Sequence, residues 1–214
     1  MTVTNGYTQV EILQAAIDPS GQARWTAADV FNQELAIDAA SRWIDQYSHT
    51  RFYTTTSDET RYYTAHAYWQ LYLPDDLLSI TTLKTDDDDD GTYETTWATT
   101  DYVLLPTNAA LKSKPYRSIE MASNGTLSWP TRVRNGVEIV GTFGYCTGSG
   151  LTAPAPIRQA CLMIAHRLWK RKDAVFGVAG SSGVGVTTVI ATIQADSDIR
   201  MLLDAGYDKR GGFY

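Results

Sequence analysis

Cysteine is almost missing from this sequence. Cys146 and Cys161 are its two thiols, and neither belongs to a CxxC pair. A disulfide framework is therefore excluded, and reduced intracellular thiols are expected. Histidine is nearly as scarce, with His49, His66 and His166 the full complement. His49 and His66 have no acidic or cysteine partner at ligand spacing. His166 follows Cys161 by five residues, which turns the two to different sides of a helix. A Cys/His nucleophile needs mutual contact, and no catalytic motif accompanies these residues. No run of eighteen apolar residues occurs, and Met1 to Ile12 lacks a basic stretch followed by an apolar one. No membrane span or secretory leader is expected, so the chain reads as soluble and made in the cytoplasm. Cations are outnumbered, 18 against 24 acidic residues, for a formal net charge of −6. That balance argues against coating nucleic acid or binding anionic membrane.

What is present is apolar and aromatic. Hydrophobic residues make up 43% of the chain, enough for a real core. Thirteen Tyr and six Trp exceed what a minimal core needs and suit both β-rich cores and protein interfaces.

The clearest helix covers Ala155 to Phe176. Ile157, Cys161, Ile164 and Leu168 fall at the spacing of a buried stripe, with Ala160 and Ala165 beside them. Pro154 and Pro156 suit its first turn, where a missing N–H costs nothing. Arg167, Lys170, Arg171 and Lys172 crowd its last two turns and complement the negative pole of the dipole. Two helices precede it. Thr8 and Glu11 have capping-box spacing and open a short helix to about Ile17. Thr26 opens a longer one to Tyr47, with Asp29 at the third helical position and Val30, Ile37, Ala40, Ile44 and Tyr47, with Phe31 and Trp43 beside them, on an apolar face. This helix is the natural packing partner of 155–176.

From Arg51 the period changes. Segments at 62–63, 68–73, 78–84, 92–97, 101–105, 117–121 and 137–145 are rich in β-branched and aromatic residues. Turn clusters at Pro74-Asp75-Asp76, Asp86 to Gly91, Pro106-Thr107-Asn108 and Asn124-Gly125 separate them. An all-β module is thus inserted between helices that belong together. Beyond Gly177 the chain is Gly-rich, then strand-like or extended over Val186 to Ile193. A short helix follows over Asp196 to Ala205, with Ile199, Leu202 and Leu203 on one face.

Three motifs resemble chemistry. Asp86, Asp88, Asp90 and Gly91 occupy positions 1, 3, 5 and 6 of a calcium loop, but position 12 is Trp97 and no helices flank it. A solvated acidic hairpin turn fits better. Gly180 to Thr187 imitates a phosphate-binding loop, yet Val186 stands where its lysine must be. The cations Arg167, Lys170 and Arg171 either stay solvated or meet an acidic or phosphate partner across an interface.

The order of parts resembles the head–tail connector (adaptor) proteins of tailed bacteriophages. Ala39 to Tyr47 followed by Arg51-Phe52-Tyr53 is similar to that family's helix-to-strand passage. Leu73 to Lys84, Asp101 to Pro106, Pro115 to Glu120 and Val137 to Tyr145 are similar to its β insertion. Pro156 to Ala160 opens the long helix, and Asp198 to Leu203 with Tyr207 resembles the short C-terminal helix. The resemblance implies a non-enzymatic virion protein without cofactors. It would form a ring, typically of twelve copies, under the portal vertex. Such a ring extends the DNA channel and docks the next head-completion (stopper) or tail protein. Double-stranded DNA would pass without sequence-specific binding, and an acidic lining would let it slide.

The expected fold class is α+β: a small helical bundle core, an inserted all-β module and an extended C-terminal arm. The boundaries are 1–50, 51–150, 151–178 for the long helix, and 179–214 for the Gly-rich linker, arm and last helix. Portal or subunit contacts are expected from Lys209, Arg210, Phe213 and Tyr214, with Arg167, Lys170 and Arg171. No catalytic residue is expected, and no metal site beyond the candidates Asp86, Asp88 and Asp90. The expected location is the virion neck, reached from the host cytoplasm during assembly. A carbohydrate- or host-binding β module is the alternative.

Overall fold

The structure, a computed structural model, describes residues 3–171 and 196–207. The fold is α+β, and the chain divides into two compact units, Met1–His49 with Ala153–Tyr214 and Thr50–Thr152.

The first unit holds four helices among the described residues: α1 (Val10–Ile17), α2 (Ala27–Ser48), α3 (Ala155–Arg171) and α4 (Ser197–Gly206). Helix α2 starts where its capping box dictates. The Thr26 hydroxyl accepts from the Asp29 N–H at 3.2 Å, and the Asp29 carboxylate accepts from the Thr26 N–H at 3.1 Å. Together these satisfy two donors that a helix start otherwise leaves orphaned. It ends at His49, whose φ of 51° is left-handed. The capping box expected at Thr8 does not form: α1 begins after Gln9 without a side-chain cap, and Thr8 is buried. Ahead of it, Tyr7 is fully buried, its N–H donating to the Ser41 hydroxyl at 3.1 Å and its own hydroxyl to Asp45.

Helices α2 and α3 pack together as their stripes require. Ile37, Ile44, Ile157 and Ile164 are fully buried, and Cys161 Sγ lies 3.5 Å from Ser41 Oγ. Each such aliphatic side chain contributes roughly 1.5–3 kcal/mol over leaving it in water. Leu168, expected in that stripe, is half-buried, and Trp169 takes the buried place instead. The reason is Trp25, ahead of α2, whose ring meets the Trp169 ring edge-on at 6.2 Å. An indole pair buries more surface there than one leucine. The helix is described to Arg171, so its expected extension to Phe176 lies outside the described residues.

The second unit is a six-stranded antiparallel sheet: β1 (Glu59–Tyr63), β2 (Gln70–Thr85), β3 (Thr95–Thr96), β4 (Tyr102–Leu105), β5 (Tyr116–Met121) and β6 (Val137–Phe143). The order is β1-β6-β2-β5-β4, with β3 also on β2. The expected turn at Pro74-Asp75-Asp76 is not a turn. β2 runs through it for 16 residues, and its register on β5 shifts between Tyr72 and Leu77. Proline has no N–H for a ladder, so a strand carries it at such an irregularity. The interruption lets β2 pair with β5 in its first half and with β6 in its second. Strand content at 92–97 is smaller than expected, Thr95 and Thr96 alone, and the last strand stops at Phe143 rather than Tyr145.

Leu71, Leu83, Ile119 and Ile139 are buried on the sheet's inner face beside a stacked pair, Trp97 and Trp129, with ring centroids 4.2 Å apart. Gly141 of β6 is required by close approach: a Cβ there would lie 2.1 Å from the Ser79 carbonyl oxygen of β2.

Candidate functional site

The acidic turn is the densest cluster of like charge. It joins β2 to β3, so the expected hairpin is present. Asp86 is buried, and its carboxylate accepts from the N–H groups of Asp89 at 2.8 Å and Gly91 at 2.9 Å. Asp89 and Gly91 both have positive φ, 64° and 83°, which folds the loop back on that carboxylate. Asp90 accepts from the Thr92 N–H, and Glu94 from the Asp87 N–H. Carboxylate oxygens of Asp86, Asp88, Asp90 and Glu94 come within 4.8 Å of one another, a set that could hold a metal ion. The crowding raises the Asp88 pKa, chiefly through Asp90. Glu94 was not singled out in the sequence, although it stands at the ninth loop position, where a calcium loop can also ligate. Trp97, at the twelfth, is buried against Trp129.

The cations at the end of α3 are divided. Arg167 forms an ion pair with Asp196, while Lys170 and Arg171 are exposed. Asp196 is also the N-cap of α4, accepting from the N–H groups of Asp198 at 2.9 Å and Ile199 at 3.1 Å. These bonds, the Ile199 one first, lower its pKa. Helix α4 then buries Ile199 and Leu203 in the first unit. The expected contact residues Lys209, Arg210, Phe213 and Tyr214 lie outside the described residues, as does the Gly-rich stretch at 180–187.

The thiols are poor nucleophiles. Burial pushes both Cys146 and Cys161 up to about 11, with Asp76 adding to the rise at Cys146. Both are protonated near neutrality, and a thiolate is the reactive form. His166 is shifted the other way, its pKa lowered by burial and by the adjacent Lys170 and Arg167.

Two surfaces depart from the sequence reading. Phe31, expected beside the apolar face of α2, is 48% exposed, and Leu35, one turn on and not singled out, is 51% exposed. On the second unit Tyr68, Trp69 and Tyr72 are exposed near the start of β2. Both would have been visible as apolar residues left over once the core stripe of α2 and the inner positions of β2 were assigned.

No protein-family model matches the chain, and no curated protein matches it. Among solved structures it is similar to a chain in the neck of an empty GTA particle computed with C6 symmetry. The identity is 16% and the TM-score 0.54, over 94% of this chain and 92% of that one. It is also similar to a chain in the virion of a native gene transfer agent (GTA) particle. There the identity is 17% and the TM-score 0.52, over 96% of this chain and 91% of that one. These likenesses establish a shared fold across nearly the whole of each chain.

Proposed function

We propose that this chain is a structural, non-enzymatic component of a virion neck, an adaptor that forms a ring between portal and tail. The observation that carries the reading is the extent of the likeness: helical unit, inserted sheet and last helix together match neck and virion chains of a phage-like particle. The net charge of −6 suits a channel lining along which DNA slides without being held. A twelve-subunit ring, portal below and a stopper or tail protein above, is the arrangement the connector resemblance supplies.

Attachment to portal is assigned to Lys209, Arg210, Phe213 and Tyr214, and Lys170 and Arg171 beside Arg167 are left to contacts between subunits. The paired Arg167 serves to hold α4, and cations with aromatics supply the anchors. Removing the chain from Val186 onward cannot test this. It would take away Asp196, Ile199 and Leu203, which belong to the folded unit. The clean truncation ends at Tyr207. Incubated with portal-bearing, DNA-filled heads and imaged at the vertex, the parent should form a ring and the truncated chain should not. A truncated chain that docks with parental affinity removes the tail from the contact. A parent that never docks removes the neck reading itself.

A second reading, a carbohydrate- or host-binding module, is favoured by the exposed Tyr68, Trp69 and Tyr72. Glycan-array binding lost on Tyr72→Ala would support it over the neck role.

A further inference from the structure

Helix α2 carries two apolar faces, and the core uses one of them. The buried stripe holds Ala36, Ile37, Ala40 and Ile44. On the side turned away from it Ala28, Phe31, Leu35 and Ala39 are exposed, and Trp43 continues the row, half-buried and stacked on Tyr47 at 5.4 Å. Asp38 and Arg42 border this row, which runs about 22 Å along the helix at its ordinary rise. A helix that is apolar on opposite sides is normally covered on both. A continuous outward stripe of this kind marks a protein contact.

The charges beside the two long helices differ in sign. Helix α2 carries Asp29, Glu34, Asp38 and Asp45 against Arg42 alone. Helix α3 carries Arg158, Arg167, Lys170 and Arg171 and no acidic residue. Cys161 faces α2 through Ser41, so the side of α3 bearing Gln159, Met163, His166 and Lys170 looks the other way. Gln159 and Lys170 are exposed there, and Met163 and His166 are half-buried. The acidic, apolar face and the basic one thus point in opposite directions from the same helix pair.

We infer that the outward stripe of α2, with Phe31 and Leu35 as anchors, docks on the outward basic face of α3 in a second copy of this chain. This rests on the ring reading above and names the contact that would build the ring. Pairing α2 with α2 would set acidic rows against each other, whereas pairing α2 with α3 sets opposite signs together. Because the two faces look apart, one neighbour cannot occupy both. The contact is therefore heterologous and propagates from copy to copy, the arrangement that closes into a ring.

The test compares the parent with Phe31→Asp/Leu35→Asp by light scattering and electron microscopy, alone over a concentration range and on portal-bearing heads. Both residues are exposed, so far-UV circular dichroism and the melting midpoint should not change. The concentration needed for ring assembly should rise about tenfold or more for each anchor lost. Asp38→Lys and Lys170→Glu should each weaken assembly and together restore it. A chain bearing Leu35→Cys mixed with one bearing Gln159→Cys should give a bismaleimide-linked dimer that neither gives alone. Rings formed by Phe31→Asp/Leu35→Asp at the parental concentration would sink this contact and leave the ring reading standing. A parent that stays monomeric in every condition sinks the ring reading and this inference together. With a benzophenone-maleimide label on Leu35→Cys, a photocrosslink into 172–195 of the same chain would show the stripe covered from within, and would also overturn it.

Discussion

Gly206, the last residue of α4, lies against Ile157 in the first turn of α3, so closely that a Cβ would stand 2.5 Å from Ile157 Cδ1. At the other end of the pair Asp196 is bonded to Arg167. The two helices are therefore antiparallel and tied at both ends. Helix propensity favours Ala over Gly by up to about 1 kcal/mol, whereas overpacking a filled core costs about 1–3 kcal/mol. Gly206→Val adds a branched side chain where even a methyl obliges the Ile157 side chain to shift. Chemical denaturation should show it less stable by about 2 kcal/mol, with Gly206→Ala closer to the parent. A Val variant of parental stability would mean that α4 does not dock there.

Ile164 is fully buried, while Leu168 is half-buried. Ile164→Asp places an unpaired charge in the α2–α3 contact and should cost at least about 3 kcal/mol. Leu168→Asp should cost clearly less. Equal losses in urea titration would show the buried side to be misassigned.

The acidic turn should be improved by losing charge. Asp88 has its pKa raised by Asp90, Glu94 and Asp86, so its ionised form is disfavoured in the fold. Asp88→Asn should raise the melting midpoint at low salt, and the gain should vanish near 1 M salt, where screening reaches about 3 Å. Asp88→Asn with Asp90→Asn should leave folding and assembly intact. Calcium-dependent stabilisation of the parent, lost in that double variant, would reverse the reading of the turn.

His166 supplies a pH signature. Its pKa is lowered in the fold by burial, Lys170 and Arg167, from the ordinary 6.5. Below 6.5 the unfolded chain takes up a proton that the folded chain resists, so stability falls with pH from there down to the folded value. His166→Gln should flatten that limb below pH 6.5. An unchanged slope in the variant would assign it to other groups.

Much of the first unit was legible because its signals are local. Thr26 with Asp29 forms a capping box within four residues, and the stripe of 155–171 follows from one period. What was hidden depends on distant partners. Nothing beside Leu168 reveals that Trp25 will claim the neighbouring position for Trp169. The proline at 74 carries a turn signal, and only the presence of β5 on one side of β2 and β6 on the other shows a strand continuing through it. Glu94, at the ninth loop position, was legible in the spacing, but that a strand-flanked turn brings it together with Asp86, Asp88 and Asp90 depends on the hairpin.

The bond between Arg167 and Asp196 also has an evolutionary side. Arg171 and Asp196, the described residues on either side of positions 172–195, are thereby held on one helix pair. Between two fixed ends, chain length is cheap to change, about 0.6 kcal/mol for each doubling of a loop. Related chains are then free to lose, enlarge or replace this stretch wholesale. Selection on whatever it meets can proceed without disturbing the helices that frame it.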